Sequence, residues 1–318
     1  MIRKEVAEMK NEYDVVIVGS GPAGLAAGIY AARAELKCVI VEKAPVSGGQ
    51  IINTYEVENY PGIPEGSGFE LAMKFREHCD KFKVEFLTME VESLLLSGCE
   101  KVLTLENGEK IAAKTVILAT GTEYRKLGVK GETEFLGLGV SYCATCDGAF
   151  YRNKTTVVVG GGDVAVEDAI FLSRLCKQVY VVHRRDEFRA VKSLVKRLEA
   201  CENVSVIWDS AVDEICGENV VKSVNIRNIK TGEVQKCETD GVFIAIGNVP
   251  NSEMVKGVVN LDKGGFIEAD ETCQTSVPGV FAAGDVRTKQ LRQIITAASD
   301  GANAITSVEV YLNQLEKQ

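Results

Sequence analysis

The chain has 318 residues, 46% of them apolar and 25% charged, which is enough for two hydrophobic cores and unlike a fibrous or disordered polypeptide. A formal charge of -9, from 36 basic and 45 acidic residues, disfavours nucleic acid or an anionic membrane surface as the main partner. No stretch approaches the ~18 uninterrupted apolar residues of a membrane span, and MIRKEVAEMKNEYD lacks the apolar core of a secretion signal, so the expected compartment is the cytoplasm.

The first β-branched run, Val15 to Val18, closes in Gly19-Ser20-Gly21-Pro22-Ala23-Gly24, continues into a helical stretch from Leu25 to Leu36 and returns as a strand from Cys38 to Glu42. A strand, a G-x-G-x-x-G turn and a helix favour a site for an adenine dinucleotide over a tight strand–helix turn with no ligand. Gly19 permits the tight turn, Gly21 lets a pyrophosphate reach the backbone, and Gly24 lets helix and strand approach. Glu42, at the end of the second strand, is placed to accept ribose hydroxyl hydrogens. The stretch Leu71 to His78 reads as a helix with His78 on its surface, and Thr115 to Gly121 as an apolar strand ended by glycine.

Cys143-Ala144-Thr145-Cys146-Asp147-Gly148 follows, the one close pair among ten cysteines; the others are scattered singly, as small buried hydrophobes are. This spacing puts both sulfurs on one face of a helical turn, close enough for a disulfide. A helix N-terminus would lower the pKa of the first thiol. Asp147 either moves protons as a general acid or caps the turn. A zinc site would need further ligands, and with only His78 and His183 and no second C-x-x-C none is expected.

The strand–turn–helix grammar then repeats: Thr156 to Val159, the turn Gly160-Gly161-Gly162-Asp163-Val164-Ala165, a helix to about Leu175 and a strand from Val179 to Val182. Where the first unit has an acid after its second strand, this one has His183, Arg184, Arg185 and Arg189, a cluster suited to a ribose 2′-phosphate and hence to NADPH. The bland alternative is a solvated basic surface paired with Asp186 and Glu187. Asp163 is acidic within the pyrophosphate turn, so its side chain must point away from the phosphates. Trp208 reads as a core or edge-strand aromatic.

Gly241 to Gly247 parallels the earlier glycine-closed strand, and Gly279 to Asp285 is a third. The expectation is an α/β protein of two Rossmann-like, three-layer nucleotide-binding domains, the second inserted in the first. Residues 1–123 with 249–318 form a discontinuous domain, and 124–248 the inserted one. In the returning segment Gly284-Asp285 is expected to supply a carboxylate for a polyol, the bland alternative being simple strand–loop–helix structure. Arg292-Gln293-Ile294 opens a helix to about Leu312 whose positive end suits a reduced, anionic flavin ring.

In combination and order these segments, with Ser47-Gly48-Gly49-Gln50, Glu56-Val57-Glu58-Asn59-Tyr60-Pro61-Gly62 and Val280-Phe281-Ala282-Ala283-Gly284-Asp285, resemble the low-molecular-weight thioredoxin reductases from about Tyr13 to Leu312. The resemblance implies FAD in the discontinuous domain, NADPH in the inserted one, a homodimer, and reduction of the disulfide of thioredoxin or a thioredoxin-like protein. It places Gly19, Ser20, Gly21, Pro22, Ala23, Gly24, Glu42, Lys43, Gly49, Gln50 and Asn59 around FAD, with Ala119, Thr120, Gly121, Gly284, Asp285, Arg292, Gln293 and Ile294. Around NADPH it places Gly160, Gly162, Asp163, Ala165, His183, Arg184, Arg185 and Arg189. It implies that Cys146 takes electrons from the flavin, that Cys143 attacks the partner disulfide and that Asp147 moves the proton. It also implies that one domain rotates against the other about hinges near Glu123 to Arg125 and Asn248 to Asn251. The stretch before Tyr13 has no counterpart in this pattern. Three other readings stay open: a ferredoxin-dependent relative, a flavin disulfide oxidoreductase with another acceptor, or a non-enzymatic flavin and dithiol redox sensor.

Overall fold

The computed structural model describes residues 12–54, 57, 59–64, 66–96 and 100–317. The chain divides into two compact units, Met1–Thr54 with Tyr60–Glu123 and Val249–Gln318, and Tyr124–Asn248 with Tyr55–Asn59. Two of the places where the chain passes from one unit to the other are β7 (Thr122–Tyr124) and β16 (Asn248–Pro250), which pair as a two-stranded ribbon.

The first unit is built on β1 (Glu12–Val18), β2 (Cys38–Glu42), β3 (Glu85–Thr88), β4 (Val91–Leu95), β5 (Lys101–Leu105), β6 (Lys110–Leu118) and β17 (Val280–Ala282). Strands run β3-β2-β1-β6 in parallel. The far edge of β6 is then shared, its first half pairing antiparallel with β5 and its last three residues parallel with β17. Val15 and Ile17 point to a face covered by helices, whereas Val16 and Val18 point to a second core with Leu103, Leu105, Val259 and Ile267. A parallel sheet buried on both faces has no polar side to alternate with, which is why β1, β2 and β17 are legible as unbroken apolar runs. The β4–β5 hairpin mixes Lys101, Thr104 and Ser93 into its pattern, and the sequence reading assigns no strand there.

Helix α1 (Pro22–Arg33) begins earlier than Leu25 because Pro22 at its first position has the right φ already and needs no hydrogen-bond donor there. It ends before Leu36 because Glu35 takes a positive φ of 58°. Helix α2 (Gly68–Lys81) opens with a capping box in which the Ser67 hydroxyl accepts from Glu70 N–H and the Glu70 carboxylate accepts from Ser67 N–H.

The second unit places β8 (Val140–Ser141), β9 (Thr155–Val159), β10 (Gln178–Val182), β11 (Val204–Ile207) and β15 (Gly241–Ile244) in one parallel sheet, ordered β11-β10-β9-β15-β8. The short helix α3 (Ala144–Asp147) precedes β9, and α4 (Asp163–Ser173) and α5 (Lys192–Glu199) cover one face of the sheet through Val166, Ile170, Leu194 and Leu198. The other face is closed by an antiparallel sheet of β12 (Ser210–Gly217), β13 (Val221–Asn228) and β14 (Val234–Glu238) through Val212, Val224 and Ile226. Each unit is therefore a three-layer α/β arrangement of the Rossmann type.

Helix α6 (Ile294–Leu315) lies along α1 in the first unit, and small side chains set their separation. A Cβ added at Gly301 would stand 2.2 Å from the Ala23 carbonyl oxygen and 2.7 Å from Ala27 N, both backbone atoms that cannot yield without moving α1. Gly301→Ala should therefore cost about 1–3 kcal/mol, read as a lower urea midpoint at unchanged slope.

Candidate active site

At the first turn the glycines separate into two kinds. Gly19 has φ +105°, and a Cβ there would meet the Ala119 carbonyl oxygen at 2.4 Å; at Gly24 it would stand 1.9 Å from the Gly19 carbonyl oxygen. These two are required by the protein's own packing. At Gly21 an added Cβ would find nothing closer than the Gly48 carbonyl oxygen at 4.0 Å, so the fold itself does not explain that glycine. The space over Gly21, at the N-terminus of α1, is open to a group such as a pyrophosphate.

Glu42 is anchored to the same turn: its Oε2 accepts from Ser20 N at 2.7 Å and Ser20 Oγ at 2.8 Å, and its Oε1 from Ala44 N at 2.9 Å. A carboxylate has about four acceptor positions, so ribose hydroxyls find one remaining. Lys43 beside it is exposed. Gly49 (φ +60°) and Gln50 lie on the turn Gly49–Asn53, and the Gln50 amide donates to the Thr122 carbonyl and, at 3.1 Å, to its hydroxyl. Ala119, Thr120 and Gly121 follow β6, where Thr120 Oγ1 donates to the Asn251 carbonyl at 2.7 Å and the Asn251 amide returns a bond to the Thr120 carbonyl at 3.0 Å. Asn59 is exposed and groups with the second unit.

Asp285 follows β17 in a turn opened by Gly284 at φ +81°. Its Oδ1 is buried with no hydrogen-bond partner among the described residues, and burial pushes its carboxyl above the usual range against the pull of Lys289 and Arg292. A buried carboxylate oxygen without a donor is costly unless a ligand hydroxyl meets it. Arg292 lies over the Phe266 ring at 4.1 Å and donates to the Asp285 carbonyl. Gln293 caps α6 reciprocally with Thr296, and Ile294 is its first residue.

In the second unit Gly160 (φ +153°) approaches the Ala245 carbonyl oxygen, which an added Cβ would meet at 2.3 Å, and the Ala165 Cβ at 2.7 Å. Gly162, like Gly21, has open space where a Cβ would stand. Asp163 does turn aside: its Oδ1 accepts from Val191 N at 2.8 Å. Arg184, Arg185 and Arg189 are exposed and make no salt bridge among the described residues, and Asp186 pairs with Lys230 instead. Arg189 N donates to the Gly161 carbonyl at 2.8 Å, which ties the basic segment to the turn.

His183 differs from its arginine neighbours. It is 4% exposed, its Nε2 lies 3.1 Å from the Glu187 carbonyl, and its ring stacks on Phe188 with Trp208 against its edge. Burial first, then the neighbouring arginines, lower its pKa, so at neutral pH it adds no charge to the cluster. It acts as the floor of the turn: a Cβ at Gly161 would strike the His183 ring at 2.2 Å. Trp208 belongs to this aromatic group.

Cys143 and Cys146 form a disulfide with Cα atoms 5.3 Å apart. Cys143 is the N-cap residue of α3, and its N–H donates to Ser141 Oγ at 3.0 Å. The same Ser141 hydroxyl donates to Asp147 Oδ2 at 2.6 Å. Asp147 makes no capping hydrogen bond, and its Oδ1 is buried without a partner among the described residues. Burial raises its pKa, only partly offset by Ser141. The capping alternative is thus replaced by a carboxyl group that stays protonated to higher pH than usual, one residue from a redox-active sulfur. No group of three or more potential metal ligands occurs among the described residues.

Sequence reasoning missed Ser141, and also Arg287, Lys289 and Asp300 of the first unit. Arg287 and Asp300 are each 2% exposed, and Asp300 accepts from Gly284 N, Arg287 and Lys289. One signal for Asp300 was present: it shares the buried stripe of α6 with Ala297, Gly301, Ala304 and Val308.

Two glycine turns shaped for pyrophosphates and a disulfide beside a buried acid describe a nucleotide-dependent disulfide oxidoreductase. Residues 13–301 match the pyridine nucleotide-disulphide oxidoreductase family, to which the chain belongs. It is 45% identical over 311 residues to a thioredoxin reductase of Peptoclostridium acidaminophilum, covering 96% of this chain and 98% of the relative. It is 44% identical over 306 residues to that of Bacillus subtilis (strain 168), covering 96% of each. The solved structure of thioredoxin reductase from Streptococcus pyogenes MGAS5005 matches with a TM-score of 0.90 and 49% identity, over 95% of this chain and 99% of that one.

The contrast between the two kinds of glycine is testable. Gly21→Ala should weaken FAD binding while leaving the urea midpoint of the flavin-free protein nearly unchanged. Gly24→Ala should in addition lower that midpoint, through a loss of about 1–3 kcal/mol of stability. Equal loss of stability in both variants would contradict the assignment of Gly21 to a ligand.

Proposed function

We propose that the protein is a thioredoxin-disulfide reductase that passes electrons from NADPH through FAD to the Cys143–Cys146 disulfide and from the resulting dithiol to oxidised thioredoxin or a thioredoxin-like protein. The observation that carries this reading is the Cys143–Cys146 disulfide next to the buried, unpaired Oδ1 of Asp147. Bound FAD supplies the two-electron relay between nicotinamide and disulfide.

In the first unit the turn from Gly19 to Gly24 and the N-terminus of α1 hold the pyrophosphate, Glu42 the ribose hydroxyls, and Asp285 Oδ1 a hydroxyl of the polyol. Lys43, Gly49, Gln50, Asn59, Ala119 to Gly121, Arg292, Gln293 and Ile294 complete the surroundings. In the second unit Gly160, Gly162 and Ala165 admit the NADPH pyrophosphate, and Arg184, Arg185 and Arg189 take the 2′-phosphate. His183 and Asp163 hold that turn in shape. Three exposed arginines free of salt bridges among the described residues favour NADPH over a ferredoxin donor.

Cys146 receives the electron pair as the S–S bond opens and takes a proton from Asp147, which leaves Cys143 as the thiolate. Cys143, as thiolate, then attacks one sulfur of the partner disulfide, forming a mixed disulfide. Cys146, returning its proton to Asp147, attacks the Cys143 sulfur, which re-forms the internal disulfide and releases the partner, whose two sulfurs take protons from solvent to become a dithiol. Because the dithiol and the nicotinamide site share one unit and must both serve one flavin, we assign the β7–β16 ribbon as the hinge about which the units exchange them. We assign a homodimer in the cytoplasm, a reducing compartment that suits the free thiols of Cys38, Cys79, Cys176 and Cys273. No described helix is long and apolar enough to cross a membrane.

Anaerobic titration with NADPH followed by oxidised thioredoxin tests the relay. The flavin band should bleach and then recover in the wild type, and bleach without recovery in Cys146→Ser. No bleaching by NADPH would overturn the donor, and bleaching without recovery in the wild type would overturn the acceptor.

The proton donor has its own signature. Thiol release needs Asp147 protonated, so its rate should be full at low pH and fall as pH rises through the raised Asp147 pKa. In stopped-flow traces Asp147→Asn should lower that rate about 100-fold and remove this pH dependence.

A further inference from the structure

The Asp285 carboxylate sits on a three-residue turn, too short to hold a buried charge in place unaided. Helix α6 supplies the hold. Asp300 Oδ2 accepts from Gly284 N, Arg287 Nε and Lys289 Nζ, each at 2.8 Å, and Oδ1 accepts from Arg287 Nη2 at 2.7 Å. All of these donors come from residues 284 to 289, the segment that brackets Asp285. Arg287 also donates to the carbonyls of Ala269 and Thr288, which fixes the guanidinium in one plane. From the opposite side the turn is closed by α1: a Cβ at Gly284 would lie 2.9 Å from the Ala23 Cβ.

A carboxylate with this many charge-assisted hydrogen bonds exceeds what packing alone requires, since an apolar cluster would fill the same volume without the desolvation cost of three charges. The satisfied acid, Asp300, and the unsatisfied one, Asp285, are joined through one peptide unit. Burial alone would raise the Asp300 pKa, but the hydrogen bonds from Arg287 and Lys289 outweigh it and hold the carboxyl below its usual range.

We propose that Asp300, held by Arg287 and Lys289, is a positioning residue for FAD binding: through the Gly284 N–H it aims the unpaired Asp285 Oδ1 at the polyol of the cofactor. The inference rests on the reading of the first unit as the FAD site. Lys289, engaged by Asp300, is also kept from pairing with Asp285 and occupying the oxygen meant for the ligand.

The test is a double-mutant cycle on the flavin-free full chain titrated with FAD, followed by fluorescence quenching. Asp300→Asn should weaken FAD at least about tenfold when Asp285 is present and less than about twofold when Asp285 is already Asn, a non-additivity expected of coupled sites. The visible circular dichroism of the FAD that still binds should change in Asp300→Asn as it does in Asp285→Asn. If Asp300→Asn fails to fold, Arg287→Lys serves, with a smaller loss that also vanishes in the Asp285→Asn background. Additive losses with an unchanged dichroism band would show that Asp300 only supports the fold and would overturn the proposal. Loss of the underlying reading looks different: the wild-type chain would then fail to bind FAD at all.

Discussion

The backbone of Gly24 passes so close to the carbonyl of Gly19 that not even a methyl group fits between them, and both nucleotide sites depend on that kind of contact. It lets a helix begin directly above the end of a parallel strand, so that its unpaired N–H groups and positive end point to one spot in space. The second unit repeats the arrangement with other atoms, Gly160 against Ala245 and Ala165. In each unit the sheet exists to hold this junction: the apolar strands are buried on both faces, and the turn has nowhere to go except the open carboxyl end.

Around these junctions the protein distributes buried polar groups unevenly. Asp300 has both carboxylate oxygens matched by internal donors, and the part-buried Glu42 accepts from the Ser20 and Ala44 backbone; both serve as fasteners. Asp285 and Asp147 each keep one buried oxygen unmatched. An unsatisfied polar atom of this kind is worth about 1–3 kcal/mol of lost stability, so its persistence marks places where a ligand or a proton completes the bonding. The fastened acids sit close to the open ones: Asp300 reaches Asp285 through Gly284. In the second unit Ser141 ties Asp147 to the backbone of Cys143.

What was legible follows from range. The glycine turns, the C-x-x-C pair, Asp285 and the arginine cluster are local patterns, each carried by residues adjacent in sequence, and the structure places each on the kind of element its pattern implies. The parallel strands were legible because they are apolar throughout. The β4–β5 hairpin and the β12–β14 sheet were not, because their strands face a core on one side and water on the other and their mixed composition resembles loop. The burial of His183 was not legible beside its exposed arginine neighbours, since it is built against Phe188 and Trp208, the latter 25 positions away.

By itself the sequence determined the class of the protein: two dinucleotide-binding turns, one with an acid and one with a basic cluster behind it, and a dithiol motif between them. These properties reside in the covalent order of neighbouring residues and do not depend on packing. Only the tertiary structure decided which charges are fastened and which are free. Protonation and hydrogen-bond satisfaction depend on burial and on donors brought from distant segments, such as α6 to the turn after β17. The availability of Asp147 Oδ1 and Asp285 Oδ1, and the service of Asp300 to the latter, exist only once those segments have met.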